Sequence, residues 1–368
     1  MDGLNRWFNR CCAGEIRFNS ADEIFRACYR IINMKIFKAA LIGYYGFGNL
    51  GDELLLQASL NLLHEAGISD NQIIVLSNNP QETSKNFNVK SVSRWKLKTL
   101  IKTFRESECL IFGGGGIFQD STGFKSCLWY WGVVRLAKLL GLKIIALGQS
   151  IGILNHYLSR MMTLNAFKKF DFVHVRDKYS FDFLNNNLKN TRLILGEDIV
   201  FNLAENLKLT PPENHERENF LLNLRPSNTL EKFVEIVKPE IISRKNLIGV
   251  ALSADDEEIL NAYKNDLAIQ KIIRVKNLDD AQKIFKNAYG VAGMRLHFGI
   301  LSKIFRVPCV LMAYDPKVKY FAESSNTPCM NINSKWLEPK LADNIPENIN
   351  HELKIAMIEF AHYGQTQD

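Results

Sequence analysis

The chain has no apolar run approaching the ~18 residues that a bilayer-spanning helix needs. Residues 1–33 contain no uninterrupted apolar segment of secretory length, so export is not expected. This leader mixes arginines with acids, and strand-like sequence begins only after Met34. It reads as a short extension, or as sequence ahead of a start at Met34. The seven cysteines form no C-x-x-C or zinc spacing, which fits reduced thiols in a cytosolic protein. H-E-x-x-H and clustered carboxylates are also missing, so no metal site is expected. There is no internal repeat, no low-complexity tract and no Lys/Arg block interleaved with aromatics. The net charge of +7 is spread along the chain and does not mark a nucleic-acid face. What is present is ordinary globular material, 46% hydrophobic and 23% charged over 368 residues, enough for two cores.

From Met34 onward strand and helix patterns alternate, which predicts an α/β fold with helices on both faces of parallel sheets. Strands are expected at 36–43, 73–77, 108–112, 143–147, 172–175 and 193–195, with helices at 51–66, 95–105, 129–140 and 156–168 and a short one from Ser180. Composition shifts at 205–219, where Pro211-Pro212 and many charges suggest a linker. A second unit follows, with strands near 220–225, 247–252, 271–275, 289–292 and 308–313 and a last helix at 349–362 that folds back on the first unit. The expected division is a 1–33 extension, a 34–204 Rossmann-like domain, a 205–219 linker, a 220–335 Rossmann-like domain and a 336–368 helical segment.

The richest stretch runs from Gly43 to Glu53, where a strand passes through Gly46, Gly48, Asn49 and Gly51 into a helix headed by Asp52 and Glu53. It formally contains G-x-G-x-x-G, but a dinucleotide is disfavoured. The two carboxylates occupy the helix start where a pyrophosphate would sit, and the next strand ends in Ser77-Asn78-Asn79 without the acid that would hold a ribose. A tight backbone loop with a fixed carboxylate suits a neutral hydroxylated substrate, with Asp52 as base. The plainer alternative is that Asp52 caps the helix and the glycines turn the chain. A second glycine loop, Gly113 to Gly116, ends the strand at 108–112 and belongs on the same binding edge.

In the second half, Gly293-Met294-Arg295-Leu296-His297 joins a strand end to a helix start. Free N–H groups and a guanidinium suit a phosphate or carboxylate, and a histidine beside that anion can serve as an acid. The alternatives are a packing histidine and an arginine paired with an acid such as Asp315. Arg176 is placed to bring a further positive group from the first unit.

Taken together these residues resemble the polysaccharide pyruvyl transferase family, whose members are similar to the bacterial cell-surface ketal pyruvyltransferases. The resemblance extends over residues 36–320 and rests on the Gly43–Glu53 loop, Gly113–Gly116, Gly148-Gln149-Ser150-Ile151-Gly152, Val175-Arg176-Asp177 with Ser180, Gly196–Asp198, Met294–His297 and Tyr314-Asp315-Pro316-Lys317. It implies two Rossmann-like domains facing across a cleft, a GT-B-like arrangement, with phosphoenolpyruvate between them as co-substrate and no further cofactor or metal. It places Arg176, Arg295, Leu296 and His297 on the donor, with His297 the proton donor. Asp52 becomes the acceptor-side base, with Gly46, Gly48, Asn49, Gly51, Gly114, Gly115 and Gln149 as loop contacts for the acceptor. The implied reaction moves the enolpyruvyl group onto two hydroxyls of a glycan or lipid-linked glycan precursor, forming a pyruvate ketal and releasing phosphate. The sequence departs from the family pattern at Ser150 and Ile153, and matches poorly from about 205 to 280.

A nucleotide-sugar glycosyltransferase and a non-catalytic glycan-binding or assembly paralogue remain open, because fold does not fix function. No nucleic-acid partner is expected. The expected location is cytoplasmic, with peripheral contact at the inner membrane face and the oligomeric state left open.

Overall fold

The computed structural model describes residues 35–120, 123–189, 191–207, 217–346 and 349–362. The 1–33 extension and much of the expected linker lie outside them. Strands β1 (Phe37–Ile42), β2 (Ile73–Ser77), β3 (Lys90–Ser93), β4 (Ser107–Phe112), β5 (Gly115–Phe118), β6 (Lys143–Ile151), β7 (Phe172–Val175) and β8 (Arg192–Leu195) form one sheet in the order β3-β2-β1-β4-β6-β7-β8, with β5 also on β6. Strands β9 (Asn219–Asn223), β10 (Leu247–Ala251), β11 (Lys271–Arg274), β12 (Ala288–Gly293), β13 (Cys309–Met312) and β14 (Cys329–Met330) form a second, β11-β10-β9-β12-β13-β14. Neighbouring strands in both sheets pair in parallel, as in β1 with β2 and β4, and β9 with β10 and β12. This is the expected α/β architecture.

The central strands are apolar without alternation because helices cover both of their faces: Ala39, Ala40, Leu41 and Ile42 of β1 are fully buried. One apolar cluster crosses from the first sheet to the second. It joins Leu54, Leu55 and Leu62 of the helix Leu50–Glu65 to Val250, Leu252, Leu296 and Phe298, so the two halves share a core. The last helix, His351–His362, adds Leu353 and Met357 to this cluster, and Lys354 bonds Glu205 at 2.6 Å. It therefore packs back on the first half, as its apolar spacing suggests.

In each sheet the order reverses beside the first strand. The crevices at the carboxyl ends of β1/β4 and β9/β12 are the switch points where such folds bind ligands. Several elements lie outside the sequence-based ranges, among them the helix Pro80–Phe87, whose only buried residue is Thr83, and the edge strand β3, which has no fully buried position. Neither of these two carries the apolar period on which a sequence reading depends. A further difference bears on the site. β6 continues to Ile151, so Gly148-Gln149-Ser150 is strand and not loop.

Candidate functional site

After β1 the backbone turns through Gly46 at φ 76°, and a Cβ there would stand 2.2 Å from the Ser77 hydroxyl. The Gly46 N–H donates to Glu53 Oε1 at 2.8 Å, tying the loop to the helix it feeds. Asn49 caps that helix: its Oδ1 accepts from the Gly51 N–H at 3.3 Å, while its Nδ2 donates to Asp52 Oδ2 at 2.6 Å. Asp52 is thus held in place by the cap residue and does not itself cap. Burial raises its pKa to about 6, against the pull of Lys317, the Asn49 hydrogen bond, Arg295 and Arg176. Glu53 is pushed up to about 7, again chiefly by burial.

The remaining loop residues divide. Gly115 is not in a loop but opens β5, because the chain pairs with β6 from this residue on, and a Cβ on it would stand 3.6 Å from Asp52 Oδ1. Gly114 is buried against Leu55 and the Leu147 carbonyl, and the Gly48 carbonyl accepts from Arg274 Nη2 at 3.0 Å. The expectation for Gln149 needs correcting. It lies inside β6, fully buried, with Nε2 3.4 Å from the Phe112 carbonyl, because the strand runs on where a loop was expected. Its Oε1 has no hydrogen-bond partner among the described residues.

In the second half Arg295 occupies the cap position of the helix Leu296–Ile304. Its side chain turns away from the helix axis onto buried Asp256, with Nη2–Oδ1 at 2.6 Å, Nε–Oδ1 at 3.0 Å and a further bond from Nη2 to the Ser253 hydroxyl at 2.7 Å. The pairing acid is therefore Asp256 and not Asp315, which instead caps the helix Pro316–Ser324 and lies 3.3 Å from Lys317. Leu296 is buried beside it.

Arg176 leaves the end of β7 and is also engaged. Nη1 meets Asp198 Oδ2 at 2.5 Å and Nε donates to the Ser150 hydroxyl at 2.8 Å; that hydroxyl in turn donates to Asp177 Oδ2 at 2.7 Å. The departure from the family pattern at position 150 is thus a polar bridge between Arg176 and Asp177. Nη2 of Arg176 and Nη1 of Arg295 take no part in these bonds, leaving one donor group on each guanidinium for an anion.

His297 joins the halves. Its Nε2 lies 3.8 Å from Asp198 Oδ2, and this buried nitrogen has no hydrogen-bond partner among the described residues. Its Nδ1 edge packs on the first domain so closely that a Cβ at Gly51 would stand 2.1 Å away. Gly51 is required by this approach of the imidazole. Burial lowers the His297 pKa to about 4; Asp198 opposes the shift, while Arg176, Lys317 and Arg295 reinforce it. The Leu50 N–H, unpaired within its own helix, donates to the Leu252 carbonyl at 2.8 Å and fixes the same junction.

The structure therefore brings Asp52, Arg176, Arg295 and His297 into one field of charge. It adds three residues to which the sequence assigned no role: Asp198, Ser150 and Lys317. Lys317 bears on both Asp52 and His297. Its place in the family-like Tyr314–Lys317 stretch was the available signal. Beside them opens a cleft of about 500 Å³ between the halves, with Ser150, Asp177, Tyr179, Arg225, Tyr314 and Lys317 on its walls. No described helix is long and apolar enough to cross a membrane.

The model of one protein family, described as polysaccharide pyruvyl transferase, matches residues 49–316. No curated protein matches the sequence. Among solved structures, the fold is similar to a UDP-N-acetylglucosamine 2-epimerase from Rickettsia bellii, at 11% identity over 80% of this chain and 84% of that one, with TM-score 0.55. It is similar to the UDP-GlcNAc 2-epimerase of Methanocaldococcus jannaschii, at 12% identity over 90% and 94%, with TM-score 0.53. It is also similar to a glycosyltransferase from Rickettsia africae, at 12% identity over 89% and 93%, with TM-score 0.50. At these identities the likeness concerns the GT-B-like fold alone.

Proposed function

The chain belongs to the polysaccharide pyruvyl transferase family, and from that premise we propose that it transfers pyruvate from phosphoenolpyruvate to two hydroxyls of a glycan or lipid-linked glycan precursor, leaving a cyclic ketal. No further cofactor enters this reading. The observation that carries it is that His297 of the second half seats its ring on Gly51, the neighbour of Asp52 in the first, with Arg176, Arg295 and Lys317 close enough to act on both groups.

In this reading the free Nη groups of Arg176 and Arg295, with Lys317, receive the donor's phosphate and carboxylate. The arriving negative charge raises the pKa of His297, so the imidazole takes up its proton together with the donor. Asp198, on the Nε2 side, stabilises the imidazolium. His297 then protonates the methylene carbon, and one sugar hydroxyl, deprotonated by Asp52, attacks the cationic C2. A second hydroxyl then attacks C2, its proton passing to the departing phosphate as the C2–O bond to phosphate breaks, and the ketal closes. Asp52, with a pKa near 6, is ionised at neutral pH yet basic enough to accept that proton.

Incubating the protein with phosphoenolpyruvate and a fractionated glycan extract should release inorganic phosphate and add a 70 Da unit, the mass of a pyruvate ketal, to one sugar. His297→Ala should abolish both while leaving acceptor binding intact. Unchanged phosphate release in that variant, or nucleotide-sugar binding in place of phosphoenolpyruvate binding, would overturn the reading.

A further inference from the structure

We propose that Tyr44, Phe47 and Trp95 form a stacking subsite for a pyranose ring of the acceptor, next to the loop that carries Asp52. The inference rests on the acceptor-side role given to that loop above. These three rings stand apart from the chain's buried aromatics: Tyr44 is 44% exposed, Phe47 36% and Trp95 53%. They nevertheless form one ordered surface. Tyr44 and Phe47 stack at 3.9 Å with an interplanar angle of 8°, Phe47 meets Trp95 edge-on at 6.5 Å, and Trp95 leans on Trp129 at 5.1 Å.

A buried guanidinium props this surface from beneath. Arg94, 1% exposed, donates to the Gly43 carbonyl and, at 2.9 Å, to the Tyr130 hydroxyl, and lies within 5.0 Å of the Trp95 ring and 5.7 Å of Phe47. Trp95 Nε1 is fixed by Asn78 Oδ1 at 2.8 Å. Burying a guanidinium is costly unless its hydrogen bonds are met; the two Nη groups of Arg94 are paired, while its buried Nε has no partner among the described residues. Here it sustains rings that stay in water, a preorganised surface that contributes little to the core.

The chemistry around the rings favours a saccharide over a lipid chain or an apolar peptide. A pyranose presents C–H faces that stack on aromatic rings and a rim of hydroxyls that needs polar partners. The rings are accompanied by Asn78, the Tyr44 hydroxyl and exposed Asp255, and Asp52 and Asp255 are both close enough to Tyr44 to raise its pKa. The indole N–H of Trp129, buried at the inner end, has no acceptor among the described residues. Tyr44 and Phe47 lie in the loop that leads into the Asp52 helix, so a sugar stacked there has its edge toward the carboxylate.

The test titrates the full chain with methyl pyranosides of glucose, galactose, mannose and their 2-acetamido counterparts while following tryptophan fluorescence, then measures turnover with the responding sugar as acceptor. Trp95→Ala is expected to remove most of the fluorescence response and to raise the acceptor KM about tenfold, with the phosphoenolpyruvate KM unchanged. Trp95→Phe, which keeps a ring, should recover most of the acceptor KM, and Tyr44→Ala provides a second variant. An unchanged acceptor KM in both alanine variants overturns the proposal. So does a panel without response, including one where anionic phospholipid vesicles shift the fluorescence, which would assign the rings to a membrane. Sugar-dependent fluorescence lost in Trp95→Ala while phosphoenolpyruvate is never turned over would leave the platform standing and reject the pyruvyl-transfer reading.

Discussion

The crevice at the head of β1 and the crevice at the head of β9 share a strand order but carry opposite chemistry. In the first, glycine turns bring two carboxylates to a helix start and burial raises their pKa values. In the second, an arginine and a histidine open the helix, with the arginine engaged by a buried acid. Topology determines where a site lies in both; the side chains at the loop ends decide what each half can do. The halves are also interdependent. The cations that bear on Asp52 include Lys317 and Arg295 from the second half, and the ring of His297 rests on a glycine of the first.

This contrast can be broken from either side. The largest effect is expected from Asp52→Asn, which keeps the Asn49 contact but removes the base: kcat should fall roughly 10³-fold while phosphoenolpyruvate binding, measured by calorimetry, is retained. Equal loss of donor binding would contradict the division of roles. Gly51→Ala should come next. Its methyl group occupies the space of the His297 ring, and moving that ring is expected to lower kcat by up to about 10²-fold and to reduce the thermal midpoint. Wild-type kinetics in this variant would mean that the junction does not position the acid.

The smallest effect concerns stability. Glu53 titrates near 7 in the fold against an ordinary 4.5, so the folded chain binds more protons between those values and loses stability as pH rises from 4.5 to 7. Glu53→Gln retains an oxygen for the Gly46 N–H. It should therefore be more stable than wild type at pH 8, by on the order of 1 kcal/mol, with the advantage shrinking toward pH 4.5. Urea unfolding at the two pH values measures it, and a pH-independent difference would reject the assignment.

Much of this was legible in the chain. The buried strands reveal themselves by apolar runs and the main helices by their periodicity. The Asp52 and His297 motifs are local strings at element boundaries. Gln149 misled because Gly148 beside it looks like a turn, whereas pairing with β5 and β7 carries the strand through. Pairing of Arg295 with an acid is legible as an alternative, but the acid is Asp256 and not Asp315, because nothing near Arg295 in sequence announces Asp256.

Neighbouring residues are enough to specify most of the elements, their order and the charge each loop end carries. The pairing of Arg176 with Asp198 and of Arg295 with Asp256, the seating of His297 on Gly51 and the gathering of Tyr44, Phe47 and Trp95 over Arg94 arise only in the folded chain. The difference is one of range. Ion pairing, desolvation and ring contact act over a few ångströms of space, and the partners come within that distance only after sheets and helices have packed.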